Sequence, residues 1–202
     1  MCSSDLASLG NSPLTVRLNS GGGDVFQGFA IYEALASYGA PVDVRVDGIA
    51  ASAASTIAMA GRTLTMAESS MIMIHDSWGF VMGNSQEMRQ QAELLDKIDG
   101  VIAEGYARKS GLPTDRLRDM MDAETWLTAD EAVELKLADA KSQSKATNFA
   151  NVAMFKYRNT PARLLASQCH RQPDSRCKPD QHRRCSSDGD VKRALMRGKL
   201  NL

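Results

Sequence analysis

Residues 49–60 constrain this chain more than any other stretch. The run IAASAASTIAMA carries no charge, and Ser52, Ser55 and Thr56 are its only polar members. A segment this small and apolar all round predicts a helix over 50–60 buried on every side, so the fold must enclose it between other layers. It is well short of the roughly 20 apolar residues a bilayer requires. The flanking residues supply the layers. LTVRLN at 14–19 and VDVRV at 42–46 alternate apolar and polar side chains, as half-buried strands do. Between them, Ser20-Gly-Gly-Gly23 is a turn with unusual backbone freedom. A helix over 25–38 follows, with Phe29, Tyr32 and Leu35 on one face and Gly39 ending it. Asp47-Gly48 predicts a turn after the second strand. Residues 63–66 and 71–75 read as two more short strands. The order β-α-β-α-β makes the fold class α/β, a sheet with helices packed across it.

A long helix is expected over 85–109, with Met88, Ala92, Leu95, Ile102 and Tyr106 at three- and four-residue spacings. Asn84 and Glu87 form a capping-box pattern at its start, and Gly111-Leu-Pro113 stops it. Thr114 is placed to cap a short helix reaching Met121. Thr128 and Glu131 repeat the capping-box pattern before a helix ending near Leu137. Beyond Asp139 the periodicity fades, and 168–190, rich in Gln, Arg, Pro, Asp and Ser, reads as disordered. We therefore expect a folded domain over 14–139 and a basic, largely irregular tail over 140–202. Residues 1–13 read as a truncated or artefactual N-terminus. The tetrapeptide Cys-Ser-Ser-Asp stands at 2–5 and again at 185–188, as translated cloning or sequencing debris would.

The 24 basic and 24 acidic residues balance overall but not locally. Residues 1–139 hold 10 Lys/Arg and 20 Asp/Glu, leaving 24 − 10 = 14 and 24 − 20 = 4 for 140–202. The basic tail reads as solvated rather than as a nucleic-acid site, since charge alone carries no sequence readout. No leader or membrane span is expected. Cys2, Cys169, Cys177 and Cys185 all lie outside 14–139, so the core needs no disulfide, which suits a reducing cytoplasm. Cys169, His170, Cys177, His182 and Cys185 lack the paired spacing of zinc modules. Neither a metal nor a cofactor is expected.

The chemistry concentrates in Gly48-Ile-Ala-Ala-Ser52-Ala-Ala-Ser55 and in His75. A strand, a Gly turn and a buried helix place Ser52 near a helix N-terminus, where unpaired N–H groups favour developing negative charge. A serine hydroxyl needs a base to take its proton, and His75 is the only histidine before residue 170. From these residues alone, Ser52 as a helix cap and His75 as a packed histidine is an equal alternative. Ser55, one turn further on, is the weaker nucleophile candidate.

The segments LNSGGGDVFQGFAIYEAL, VDGIAASAAS, MIMIHDSWG and ETWLTADEAVELKLAD resemble the ClpP family of serine peptidases in order and spacing, over roughly 14–139. The resemblance implies a ClpP/crotonase-like spiral of β-α units with a long handle helix. It implies that Ser52 is the nucleophile and His75 the base of a serine endopeptidase working through an acyl-enzyme. It also implies that the N–H groups of Gly23 and Ala53 form the oxyanion hole. The third triad member falls on Glu124, where the family has aspartate; Asp122 is the alternative. Gly22, Asp24 and Val25 on one side, and Trp78, Gly79 and Phe80 on the other, are expected to grip an extended peptide. The proline of the family's glycine turn is absent here, and so is its N-terminal segment, which gates the axial pore and docks an ATPase.

Asp76-Ser-Trp-Gly79, the doubled AAS and ETWLTADEA resemble the phage head maturation branch. So does the stretch from Phe155 to Ala162 after the domain. That branch implies capsid or scaffold proteins as substrates, a host cytoplasmic setting and a ring-forming homo-oligomer. The alternatives are a housekeeping-type proteolytic subunit working with an ATPase, a non-catalytic ring subunit, and a crotonase-type acyl-CoA enzyme. A lysine base is disfavoured, because no lysine precedes Arg89.

Overall fold

The computed structural model describes residues 10–144, 149, 150, 152, 155 and 157–166. Six strands and six helices alternate along them: β1 (Leu14–Ser20), α1 (Val25–Ala36), β2 (Val42–Ala51), α2 (Ala53–Ala58), β3 (Thr63–Ala67), β4 (Met71–Ile74), α3 (Ser85–Ser110), α4 (Thr114–Asp122), β5 (Thr125–Thr128), α5 (Ala129–Glu134), β6 (Ala140–Ser142) and α6 (Ala162–Ala166). This is the expected α/β class, with a sheet curled around helices.

Strand β2 organises the sheet. Along one side it pairs in parallel with β1. On the other, its first half (Asp43 to Val46) pairs with β3 and its last residues (Ile49 to Ala51) pair with β4, both in parallel. The sheet therefore forks at Asp47-Gly48. The expected turn there is not a turn: β2 runs on to Ala51. Between Leu18↔Val46 and Ser20↔Ala50, β2 takes four steps while β1 takes two. The local tendency of Asp-Gly to break extended chain is thus spent in a bulge. The strand absorbs the start of the predicted helix, and α2 begins only at Ala53.

Both faces of β2 and β4 are covered, which explains why their sequences read as continuous apolar runs. Ala50, Ile72 and Ile74 face the main core with Ala54, Ile98, Ile102, Tyr106 and Leu127. Ile49, Ala51, Met71 and Met73 face a second cluster with Val152 and Leu164, against which Trp126 and Tyr157 pack. Sheet and core thus continue past Asp139, where the sequence suggested the domain would end. Strand β6 pairs with β3, and the residues around α6 cover the back of the sheet.

The long helix α3 carries both expected end signals. Asn84 accepts from the N–H groups of Gln86 and Glu87 while Glu87 accepts from the N–H of Asn84, and Gly111 closes the helix in the left-handed region (φ 73°). The capping box of Thr128 and Glu131 also forms, at the start of α5. For α4 the N-cap position is Pro113, not Thr114, and no side chain caps it. Strand β5 was not legible as a strand; it is four residues long and pairs antiparallel with β4. The two Cys-Ser-Ser-Asp copies, the stretch 168–190 and Cys169, His170, Cys177, His182 and Cys185 lie outside the described residues.

Candidate active site

Ser52 sits at the corner between β2 and α2. Its N–H still belongs to the sheet, donating to the Met73 carbonyl at 3.0 Å, and its own carbonyl already accepts from Ser55 N–H at 2.8 Å. Making both bonds forces φ 56°, ψ −130°, a conformation that L-residues with a Cβ rarely adopt. The strain is of the order of 1–3 kcal/mol and points the side chain out of both elements. Such a corner presents a nucleophile clear of its neighbours. Close packing beneath it needs Gly22: a Cβ there would stand 2.7 Å from both the Ala51 carbonyl oxygen and the Ser52 Cβ, and φ is +99°.

His75 follows directly on β4, the strand hydrogen-bonded to the end of β2. This adjacency brings Nε2 to 2.7 Å from Ser52 Oγ. Burial holds the imidazole below the ordinary histidine pKa. The charges of Glu124 and Asp99 work against that shift, and Arg158 works with it. The neutral ring, able to accept the serine proton, therefore persists to lower pH than in a free histidine.

Ser55 is excluded as a rival nucleophile by its partners. It is fully buried. Its Oγ donates its one proton to the Ser52 carbonyl at 2.6 Å, so Tyr106 Oη must be the donor in the 2.8 Å contact between the two hydroxyls.

A cleft of about 380 Å³ opens beside the Ser52–His75 pair. Of the expected substrate-contacting residues, Asp24, Val25, Trp78 and Gly79 line it, as do Gly23 and Ala53 of the expected oxyanion hole. Gly22 lies beneath Ser52 instead, and Phe80 is 89% exposed. No strand forms over 78–82, so the expected second edge is open chain. The Asp24 carboxylate caps α1, accepting from Gln27 N–H at 2.9 Å. Among the described residues no hydrogen bond uses the N–H of Gly23 or Ala53, so both donors are available to a ligand. Ile98, Ile102, Leu95 and the ring of Tyr106 make most of its inner wall apolar, with Thr56 beside them.

The carboxylates part company. Asp122 is exposed. Glu124 is only 5% exposed, and it shares a hollow with His75, Asp76 and Tyr157. No hydrogen bond joins it to His75. Its oxygens accept from the N–H of Arg158 (2.7 Å), the N–H of Asn159 (2.6 Å) and Trp126 Nε1 (3.2 Å). A direct Glu124–His75 hydrogen bond, implied by the resemblance, is thus not what the geometry contains.

Two site residues were missed in the sequence. Asp99, 8% exposed, accepts from Ser77 N–H at 2.6 Å and so fixes the chain that leaves His75. Its signal was a charge at the i+4 position from Leu95 on the apolar stripe of α3. Tyr157 packs edge to face on His75, with ring centroids 5.2 Å apart. The stretch from Phe155 to Ala162 drew notice only for its family resemblance, and nothing in it gave Tyr157 a role, because His75, Trp126 and Gly21 lie far away in sequence.

Comparison with known proteins identifies the family. The family model described as Clp protease matches residues 6–144. The chain is 34% identical over 133 residues to the ATP-dependent Clp protease proteolytic subunit of Pleurastrum terricola, covering 64% of this chain and 67% of that protein. It is 33% identical over 132 residues to proteolytic subunit 1 of Protochlamydia amoebophila (63% and 64% covered) and 32% over 128 residues to the subunit of Deinococcus radiodurans (62% and 63%). The match therefore spans about two thirds or less of the length of these curated relatives. Their names are those of the ATP-dependent protease, and none points to the phage head maturation branch. With most of its described residues inside that match, this chain belongs to the Clp protease family, a family of serine endopeptidases.

Proposed function

We propose that this chain is a serine endopeptidase of the Clp proteolytic-subunit type, with Ser52 as nucleophile and His75 as general base. The observation that carries the reading is the 2.7 Å contact between Ser52 Oγ and His75 Nε2 at the head of an apolar cleft. With Nε2 unprotonated and the ring proton on Nδ1, the hydroxyl proton passes to Nε2 as Oγ attacks the scissile carbonyl. The N–H groups of Gly23 and Ala53 receive the oxyanion, and two such preorganised donors lower the barrier by several kcal/mol. His75 then protonates the leaving amine, an acyl-Ser52 ester remains, and water activated by the same imidazole hydrolyses it.

The apolar inner wall favours a hydrophobic side chain in the residue whose carbonyl is attacked. Extended substrate backbone meets the open chain at Gly23-Asp24 and Trp78-Gly79, which line the cleft. Relatives named as subunits of an ATP-dependent protease support the housekeeping-type role over the phage role: a ring-forming homo-oligomer fed by an ATPase partner in the cytoplasm. Among the described residues no helix is long and apolar enough to cross a membrane. The test is hydrolysis of a short fluorogenic peptide with an apolar residue before the scissile bond. Ser52→Ala and His75→Ala should each abolish turnover while leaving thermal unfolding near that of the parent; turnover surviving in Ser52→Ala would refute the assignment.

A further inference from the structure

For Ser52 to donate to Nε2, the ring proton must sit on Nδ1, yet among the described residues no hydrogen bond is made at Nδ1. Two buried carboxylates act on the ring, and both are taken by backbone donors: Asp99 accepts from the N–H of Ser77, and Glu124 from the N–H groups of residues 158 and 159. The imidazole is held by something else. We propose that Tyr157 is a positioning residue for His75 and that Glu124 steadies the base through it, by fastening the strap 157–160 across the site. This rests on the reading of Ser52 and His75 given above.

The strap is fastened to the turn at 122–124 by four hydrogen bonds. Two are the N–H donors of Arg158 and Asn159 to the Glu124 carboxylate. The others run from Arg158 Nη2 to the Asp122 carbonyl (2.6 Å) and from Asn159 Nδ2 to the Ala123 carbonyl (2.8 Å). Glu124 itself takes φ 50°, a left-handed conformation kept where surrounding bonds over-determine it. So anchored, the Tyr157 ring meets His75 edge on (5.2 Å, 71°), meets Trp126 in the same manner (5.8 Å, 73°) and stacks on Phe155 (5.6 Å, 10°). Its hydroxyl donates to the Gly21 carbonyl at 2.5 Å, tying the glycine turn to the base. Burial chiefly, with the Glu124 charge, pushes the phenol up to about 12, although contact with the Ser52 hydroxyl favours ionisation. Tyr157 therefore stays a neutral donor throughout the working range and takes no part as acid or base. Its contribution is geometric: it closes one face of the imidazole and fixes the ring plane.

The variants that test this are Tyr157→Leu, Tyr157→Phe, Glu124→Gln and the double Tyr157→Leu/Glu124→Gln. Two quantities are read: the rate of fluorophosphonate labelling at Ser52, and the titration midpoint of the His75 ring by NMR. Tyr157→Leu and the isosteric Glu124→Gln should each slow labelling by roughly tenfold. The double variant should be no slower than either, because both interrupt one path. Tyr157→Phe, which keeps the ring, should recover most of the rate lost in Tyr157→Leu. The charged groups acting on the imidazole are Glu124, Asp99 and Arg158, with Asp76 next to it in the chain. All remain in Tyr157→Leu, so an upward move of the His75 midpoint reports loss of the ring that shields it. Wild-type labelling together with an unmoved midpoint in Tyr157→Leu would overturn the proposal, as would multiplicative losses in the double variant. Should Tyr157→Leu fail to fold, a wild-type labelling rate in Glu124→Gln alone overturns it. If the parent protein is not labelled at Ser52 but the midpoint moves in Tyr157→Leu, the peptidase reading fails while the Tyr157 contact stands.

Discussion

Ser52 and Gly22 show how much of this site rests on single backbone angles. The three glycines at 21–23 look equivalent in sequence, but the structure separates Gly22 from Gly23. At Gly22 any Cβ collides with backbone and with Ser52; at Gly23 nothing lies within 4 Å. Gly22→Ala should therefore lower unfolding free energy by about 1–3 kcal/mol and slow peptide hydrolysis. Urea unfolding unchanged from the parent would show that the turn yields freely. His75 gives a second prediction at this scale. Because its pKa lies below the ordinary histidine value, the base form is retained as pH falls past that value. The acid limb of kcat/KM should fall below the ordinary histidine range, and a limb at or above it would contradict the burial argument. Ser52 and His75 were singled out by the family-resembling segments VDGIAASAAS and MIMIHDSWG, since the residues alone left a helix cap and a packed histidine as an equal reading. The structure brings the two within 2.7 Å. The backbone partners of Glu124 were not legible, because they stand 34 and 35 residues further along the chain, where no periodicity points back.

At the scale of elements, local signals prevailed where they were strong. Both capping boxes and the left-handed Gly111 appear as the sequence predicts. Asn84→Ala, outside the cleft lining, should cost about 1 kcal/mol of stability by freeing the first turn of α3, measured as a shift in the urea midpoint. Tertiary pairing prevailed where the local signal was two residues long. Asp47-Gly48 became a bulge because Ile49 to Ala51 gain β4 as a partner, and that pairing is what brings Ser52 beside His75. The corner is locked to α3 through Ser55 and Tyr106, which is 1% exposed. Tyr106→Phe removes the donor to Ser55 and should lower stability by about 1 kcal/mol. A neutral result would mean that the α2–α3 contact is held by packing alone. Strand β5 escaped sequence reading because four residues cannot display a period; only its antiparallel register with β4 defines it.

For the whole molecule, the exposed apolar surface is the feature that most needs an explanation. Trp78 (71%), Phe80 (89%) and Met82 (87%) are exposed ahead of α3, and Met88, Leu94 and Val101 continue along that helix. Exposed large apolar side chains in this number favour association, and in the proposed ring Phe80 and Met82 lie between subunits. Sedimentation of the intact chain should give a multi-subunit particle that Phe80→Asp with Met82→Asp dissociates; a parent protein that sediments as a monomer would remove the ring from the account. The central claim is narrower than assembly: Ser52 is a nucleophile activated by His75. Its most direct measurement is reaction with a fluorophosphonate followed by peptide mapping by mass spectrometry. The account predicts a single adduct, on Ser52, that is lost in His75→Ala. An adduct on another serine, or labelling of Ser52 at an unchanged rate without His75, would contradict it.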